Sequence, residues 1–553
     1  MEGRFVVLRK AGRRITLPSV AYSFLLFISL LLIIGPIAGL AVELYRIVLS
    51  GTAVSSLSGL ITGRRLFLFC QSAGLAAAVA AAGIGTGILV ATALWRRSRA
   101  VSAGILLLVL ALAPVPPYIH ALTWSAAIAL FNQWLALIGA APFPATGWLV
   151  SFWVQFMAML PLAIFLSVIA LASVDRTLIE AARVVCPDGE VMRRIVLPLA
   201  SPTFLAAAGF IFVLSCTDYS IPSLFGSDTY ALDIFSVYSA TASAGSALVS
   251  ALPLLLITLA VMIACRSGIR RLAQTPSWTS GSWDSPPVFI QPLQLLQDGA
   301  LILLGIQIVV IFSGLIIPVG SLTKLSSTLV FSAGEIENSL MVVACVVAIG
   351  IPIALTVTRE MLQPGMRGSV WWGLILIPIA VPAPLIGIGI ITLWNNPALP
   401  HLYGTFLMPV IAAVSRFVPF AAIILFVQVR SIDPALFEAA RIFSRDPVTP
   451  LMKIVLPLMA PGILIASAVL AALTLGEIGA TLLVTPPGFG MLAIKIYNYL
   501  HYGAAAEVAG LCLVMTAATL IAGFCVAGVI SGRGRRGAKG RAAPPDGDRC
   551  DGQ

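Results

Sequence analysis

Two nine-residue stretches decide how this chain is read: Asp175-Arg176-Thr177-Leu178-Ile179-Glu180-Ala181-Ala182-Arg183 and Asp433-Pro434-Ala435-Leu436-Phe437-Glu438-Ala439-Ala440-Arg441. They stand 258 positions apart and share an Asp, a Leu and the run Glu-Ala-Ala-Arg. Pro161 and Pro419 keep the same offset upstream. Downstream, Ile195-Val196-Leu197-Pro198-Leu199 recurs as Ile454-Val455-Leu456-Pro457-Leu458 at an offset of 259, and Pro202 with Pro461 and Asp218 with Glu477 follow that register. One residue has been inserted between the blocks. Matches held in so fixed a register mark a duplicated half rather than chance.

What surrounds the two stretches is apolar. Of 553 residues 59% are hydrophobic and 10% charged, against about 25% charged in an ordinary soluble domain, which excludes a water-soluble globule. A hydrocarbon core about 30 Å thick takes about 20 helical residues. Runs of that size fall at Val20–Val42, Leu66–Trp95, Val101–Ala121, Trp148–Ala172, Leu205–Phe225 and Ala247–Cys265, then at Ala300–Val319, Leu340–Val357, Val370–Leu393, Phe406–Val427, Ile463–Val484 and Val508–Val529. The expectation is an all-α polytopic membrane protein of about twelve transmembrane helices in two six-helix repeats. Because six is even, both copies of the repeat face the same way, so the repeats are parallel. The halves are 1–272 and 299–530, joined by a cytoplasmic linker over 273–298 and followed by a basic, disordered tail over 531–553. Gly, Ala and Pro in runs such as Ala73–Gly87 and Pro378–Pro384 predict close helix contact and broken helices.

The net charge of +11 follows from topology and calls for no nucleic acid. With the N-terminus cytoplasmic, 27 of the 33 basic residues fall on the cytoplasmic side, C-terminus included, as the charge rule for membrane loops requires. Arg46, Arg64, Arg65, Lys324 and Lys495 remain outside, and Arg416 lies within the tenth span. Eight cysteines form no Cys-x-x-Cys pair, and His120, His401 and His501 are far apart, so the chain offers neither a metal site nor a cofactor site. No cluster of catalytic acids, His or Cys and no Gly-x-x-x-x-Gly-Lys-Ser/Thr phosphate cradle occurs, so the chain is not expected to be an enzyme.

The repeated stretches lie in polar loops, 174–199 and 429–458, between the fourth and fifth spans of each half. Leu178 to Val184 favours helix, with Glu180 and Arg183 one turn apart, and a turn at Pro187-Asp188-Gly189 or at Pro447 sends the chain back. A polar helix kept twice on one side of a membrane fits a docking surface better than a solvated connector.

At these residues the chain resembles the inner-membrane permeases of ABC importers that work with a substrate-binding protein, whose signature loop begins Glu-Ala-Ala and ends near Ile-x-Leu-Pro. The resemblance implies that Glu180, Ala181, Ala182 and Arg183, with Glu438, Ala439, Ala440 and Arg441, form coupling helices. These would seat on a separate ABC ATPase subunit present in two copies, while a periplasmic binding protein delivers the solute at the other face. Cys186 and Ser444 stand where the family usually has Gly, which bears on whether the turn uses a positive φ; Gly189 offers a substitute in the first copy. The two-copy arrangement resembles most the fused permeases of ferric-iron uptake. The match runs through Leu475-Gly476-Glu477-Ile478-Gly479-Ala480-Thr481-Leu482-Leu483 and Tyr497-Asn498-Tyr499-Leu500-His501-Tyr502-Gly503. Thiamine, phosphonate, polyamine or anion are the alternative cargoes, and a gradient-driven secondary transporter is the rival class.

Asp218 and Glu477 occupy equivalent places about thirteen residues into the fifth and eleventh spans. An ionisable group at membrane depth must face a cavity or a partner. Two readings stay open: the acids line a route for a cation, or they serve the structure. Arg416 has no counterpart, since the position 258 earlier is Ala158; it either belongs to the route or pairs with Glu477. Tyr238 and Tyr497, in equivalent outer segments, are possible docking points for the binding protein.

Overall fold

A computed structural model describes residues 19–49, 62–273, 287–395, 402–433, 435–436, 451–502 and 505–541. Among the described residues ten helices are long and apolar enough to cross a membrane, or up to twelve if each of two bent pairs counts as one span. Among the described residues there is no strand. The protein is an all-α polytopic membrane protein.

The first half runs α1 (Ser19–Leu49), α2 (Gly63–Trp95), α3 (Arg99–Leu112), α4 (Pro117–Leu137), α5 (Trp148–Ala172), the loop helix α6 (Arg176–Arg183) and the turn α7 (Asp188–Val191). A single π-turn, Met192–Val196, leads into α8 (Leu197–Thr217), followed by α9 (Ser220–Leu224), α10 (Tyr230–Thr241) and α11 (Ala244–Leu272). The second half follows. It has α12 (Gln291–Val319), α13 (Leu322–Phe331), α14 (Ala333–Met361), α15 (Met366–Ala380), α16 (Ala383–Trp394) and α17 (Leu407–Ser431). A π-turn at Leu451–Val455 leads into α18 (Leu456–Leu475), and α19 (Thr481–Val484), α20 (Leu492–Tyr502) and α21 (Ala505–Arg541) complete the chain. The duplicated Ile-Val-Leu-Pro block thus folds the same way twice, as a π-turn running into a helix that carries the Pro in its first turn, where a missing N–H costs nothing.

Hydropathy misplaces several ends. The expected spans Val101–Ala121 and Val370–Leu393 are each two helices, bent by 104° between α3 and α4 and by 105° between α15 and α16. Prolines cause both breaks. Pro116 with Pro117, and Pro382 with Pro384, remove backbone donors and force extended conformations, as at Val381 with ψ 126°. The fifth span ends at Thr217 rather than Phe225, and its counterpart at Leu475 rather than Val484. Helix α12 begins inside the stretch read as linker, and α21 runs to Arg541, into the tail read as disordered.

The first span of each half crosses to the other. Helix α1 lies against α14, α16 and α17, and α12 against α2 and α4. Close approach decides the first crossing: a Cβ on Gly389 would collide with the carbonyl of Pro36, and one on Gly39 with that of Gly389. Polar partners mark the second. Gln307 of α12, fully buried, has Nε2 2.7 Å from His120 Nδ1, while its Oε1 accepts from Trp124 Nε1 at 2.8 Å. Where no water competes, such bonds fix which side chains may face each other. The loop-side ends are latched differently. Tyr22 of α1 donates to Glu360 and lies under Arg359, 4.2 Å from its guanidinium, whereas Gln297 and Gln294 of α12 accept from Arg96 at 2.8 and 3.1 Å and Asp298 takes Arg97 at 2.8 Å.

Candidate functional site

The loop helix α6 is built from its cap. Asp175 Oδ1 accepts from the backbone N of Thr177 at 2.9 Å and from its hydroxyl at 2.8 Å, and these donors hold the Asp175 carboxyl below the usual carboxylate range. Arg176 donates to Glu180 at 2.6 Å, one turn along and exposed. Ile179 turns inward and is buried, while Leu178, Val184 and Val185 turn outward, at 51%, 86% and 83% exposure. Arg183 folds back inside the loop, its Nε donating to Asp188 Oδ1 at 2.8 Å.

The turn after α6 needs no left-handed residue. No positive φ occurs between 184 and 191, and Gly189 sits in the ordinary helical turn α7. Gly189 therefore does not replace the family's glycine; the loop turns without one, and Cys186 is accommodated. The apolar tip, Leu178 with Val184 and Val185, went unremarked in the sequence, although two valines directly after Glu-Ala-Ala-Arg are out of place in a solvated turn. In the second copy Asp433 Oδ1 accepts from Ala435 N at 3.0 Å, the same capping start, and Leu436 is exposed like Leu178. Glu438, Ala439, Ala440 and Arg441, with Ser444 and Pro447, lie outside the described residues.

The two membrane acids stand at helix ends, not within continuous spans. Asp218 caps the C-terminus of α8, and Glu477 follows Gly476, the cap of α18. Each carboxylate reaches over the break to the short helix beyond. Asp218 Oδ1 accepts from Ser220 N at 3.1 Å and from its hydroxyl at 2.7 Å; Glu477 Oε1 accepts from Ala480 N at 2.7 Å. Each also takes a donor from the fourth span of its own half: Gln155 Nε2 lies 3.3 Å from Asp218 Oδ2, and Arg416 Nη1 pairs with Glu477 Oε2. Glu477 is buried and Arg416 nearly so, with the guanidinium 5.2 Å from the Phe417 ring centre. The structure thus joins Arg416 to Glu477 and gives Asp218 a neutral set of partners.

Three of the basic residues expected on the outer side, Arg64, Arg65 and Lys495, lie beside carboxylates. Arg65 lies 3.5 Å from the buried Asp233 on α10, and Arg64 lies 3.7 Å from it and 3.8 Å from the exposed Asp228. The other half builds the same bracket with signs exchanged, Glu335 of α14 holding Lys495 of α20 at 2.9 Å. Ser72 and Ser339 accept equivalent backbone bonds, from Tyr230 N and Leu492 N, both at 2.8 Å. Tyr238 and Tyr497 sit on these outer helices, and the Tyr497 hydroxyl is bonded to Ser223 of the other half.

Comparison with known proteins covers part of the chain. The matched segment is 160 residues of a putative 2-aminoethylphosphonate transport system permease protein of Salmonella typhimurium, at 27% identity, covering 29% of this chain and 60% of that protein. A spermidine/putrescine transport system permease protein of Escherichia coli strain K12 is 26% identical over 103 residues, 19% of this chain and 39% of that one. The chain therefore spans about 60% of the length of the phosphonate relatives it matches. Residues 83–274, which hold the loop helix α6 and the spans around it, match the family described as the binding-protein-dependent transport system inner membrane component.

Proposed function

We propose that the chain is the fused permease of an ATP-driven importer in the inner membrane, its two parallel halves enclosing one path for a small solute. The observation that carries the reading is α6: a short, capped helix on the loop side, anchored by Ile179 and ending in an exposed apolar tip, in a sequence that recurs in the second half. Apolar side chains exposed in a polar loop have a purpose when a partner covers them. The partner proposed is an ABC ATPase, one copy per loop, with Glu180 and Glu438 adding charge-assisted bonds. Closure of the ATPase pair would draw the loops together and turn the path outward; hydrolysis would reset it.

The cargo is the finer part of the proposal. The relatives named above carry an aminophosphonate and polyamines, which share an amine, rather than ferric iron. A small amine-bearing solute is therefore placed ahead of iron and thiamine, with a periplasmic binding protein as its source. Asp218, Glu477 and Arg416 would stand beside the path as residues that shape the ends of the fifth spans.

The test uses the chain reconstituted with its ATPase. A carboxylate bond to a partner is worth roughly 1.5–3 kcal/mol, so Glu180→Ala with Glu438→Ala should weaken ATPase capture about ten- to hundredfold while membrane insertion survives. Capture and transport at the parent level in the double variant would end the docking reading. Uptake that persists without nucleotide and collapses with the ion gradient would favour the secondary transporter instead. Competition among labelled 2-aminoethylphosphonate, spermidine and ferric citrate assigns the cargo.

A further inference from the structure

One carboxylate on the loop side takes two partners at once. Asp188 Oδ1 accepts from Arg183 Nε at 2.8 Å and Oδ2 from Arg183 Nη2 at 3.3 Å, a two-point grip on the last residue of α6. Oδ2 also accepts the backbone N–H of Val288 at 2.7 Å, from the segment that leads into α12. The contact is packed as well as bonded. Phe289 is buried in the same apolar cluster as Ile179 of α6 and as Val191 and Met192 after it. Its carbonyl accepts from Gln294 Nε2 at 2.7 Å, and Gln294 in turn accepts from Arg96, at the end of α2, at 3.1 Å. Docking loop, lead-in of the second half and loop-side end of α2 form one hydrogen-bonded joint, and α12 is the span that crosses onto α2 and α4.

We infer that Asp188 is a positioning residue for coupling: it clamps the first docking loop to the lead-in of the second half, so that a displacement of the loop moves α12 together with the spans α12 lies on. The inference deepens the docking reading and rests on it. An Arg183–Asp188 pair alone would set only the angle of α6. The bond to Val288 gives the carboxylate its second task, because a backbone N–H can be held only by a side chain that accepts, and an ionised acceptor holds it most firmly. Without that bond the loop can rock on a seated ATPase while α12 stays behind, and ATP is then hydrolysed with little solute moved. The offset of 258 puts Asp446 at the corresponding place in the second loop, outside the described residues.

The test compares three variants of the full chain: Asp188→Ala, Asp188→Asn, and the exchange Arg183→Asp with Asp188→Arg. The exchange keeps the ion pair but leaves no acceptor at position 188; Asn keeps an acceptor. Clamping is read without ATPase, from the mobility of a spin label on Val288→Cys in a chain whose other cysteines are Ser. Coupling is read with ATPase, from ATP hydrolysed per solute moved. In Asp188→Ala and in the exchange, the label should be released and the ratio should rise about three- to tenfold, within the range by which changes in coupled networks act. ATPase capture by Asp188→Asn, which leaves α6 untouched, should stay near the parent. In Asp188→Asn the label should remain held and the ratio close to the parent value. A label as immobile in Asp188→Ala as in the parent, or an exchange variant with the parent's ratio, overturns the inference. If the parent chain captures no ATPase, the docking reading fails and takes the coupling role with it, while the label still decides whether the clamp exists.

Discussion

Arg416 and Glu477 pair at the break where the fifth span of the second half ends, and the other oxygen of Glu477 accepts from Ala480 N at the entry to the short helix that follows. The pair depends on both members. Glu477→Gln keeps an acceptor for Ala480 N but leaves a guanidinium without its counter-charge, a change that costs about 3–5 kcal/mol for a buried pair. Adding Arg416→Met to Glu477→Gln should recover most of that loss. Thermal unfolding in detergent measures both; a double variant no more stable than the single one would show that the charges are not coupled.

The outer brackets should be unequal along the chain. Asp233 is buried and faces two arginines, so Asp233→Ala takes a buried carboxylate from both at once, whereas Asp228 is 67% exposed. Asp228→Ala is expected to change stability by no more than about 0.5 kcal/mol, and Asp233→Ala by clearly more. Equal melting temperatures for the two variants would refute the assignment.

Helix crossing at Gly389 leaves no room for a methyl group beside Pro36, while Gly373, in the other arm of the same broken span, faces open space. Gly389→Ala should destabilise by about 1–3 kcal/mol, the usual range for overpacking. Gly373→Ala serves as the control and should not. The comparison is read from the yield and melting of purified chain, and parity between the two would mean that α1 does not cross there.

At the apolar tip, Val184→Asp and Val185→Asp change exposed side chains, so the fold should be unaffected within about 0.5 kcal/mol. ATPase capture should fall about tenfold or more, since an interface core tolerates an uncompensated charge poorly. Pull-down with the parent ATPase decides it. Undiminished capture would move the docking surface elsewhere on the loop.

Much of this was written in the sequence because it depends on local pattern. Long apolar runs give spans, and a fixed offset between Asp175–Arg183 and Asp433–Arg441 gives the duplication and its parallel sense. The pairing of Arg416 with Glu477 could be entertained from two membrane charges, but not the cap on Ala480, which depends on where α18 stops. Hydropathy cannot see that stop: Asp218 is followed by residues apolar enough to continue a span, and only backbone geometry shows the helix ending at Thr217. The brackets were hidden for the opposite reason. Arg65 and Asp233 are far apart in the chain, and the second half keeps the contact while exchanging the signs, so no matching residues announce it. The partner of Asp188 is a backbone N–H, which no side-chain pattern can reveal.

The crossing of α1 and α12 changes what the covalent linker is for. Helix α1 lies against α14, α16 and α17 of the second half, and α12 against α2 and α4 of the first as well as α21 of its own, so the halves meet at two crossings besides the bond through residues 274–286. Severing that connection after assembly is expected to leave two polypeptides that still copurify, held by the two helix crossings. On that expectation the peptide bond matters before assembly rather than after it. It ensures that each first half meets a second half made in the same act of translation, rather than another copy of itself.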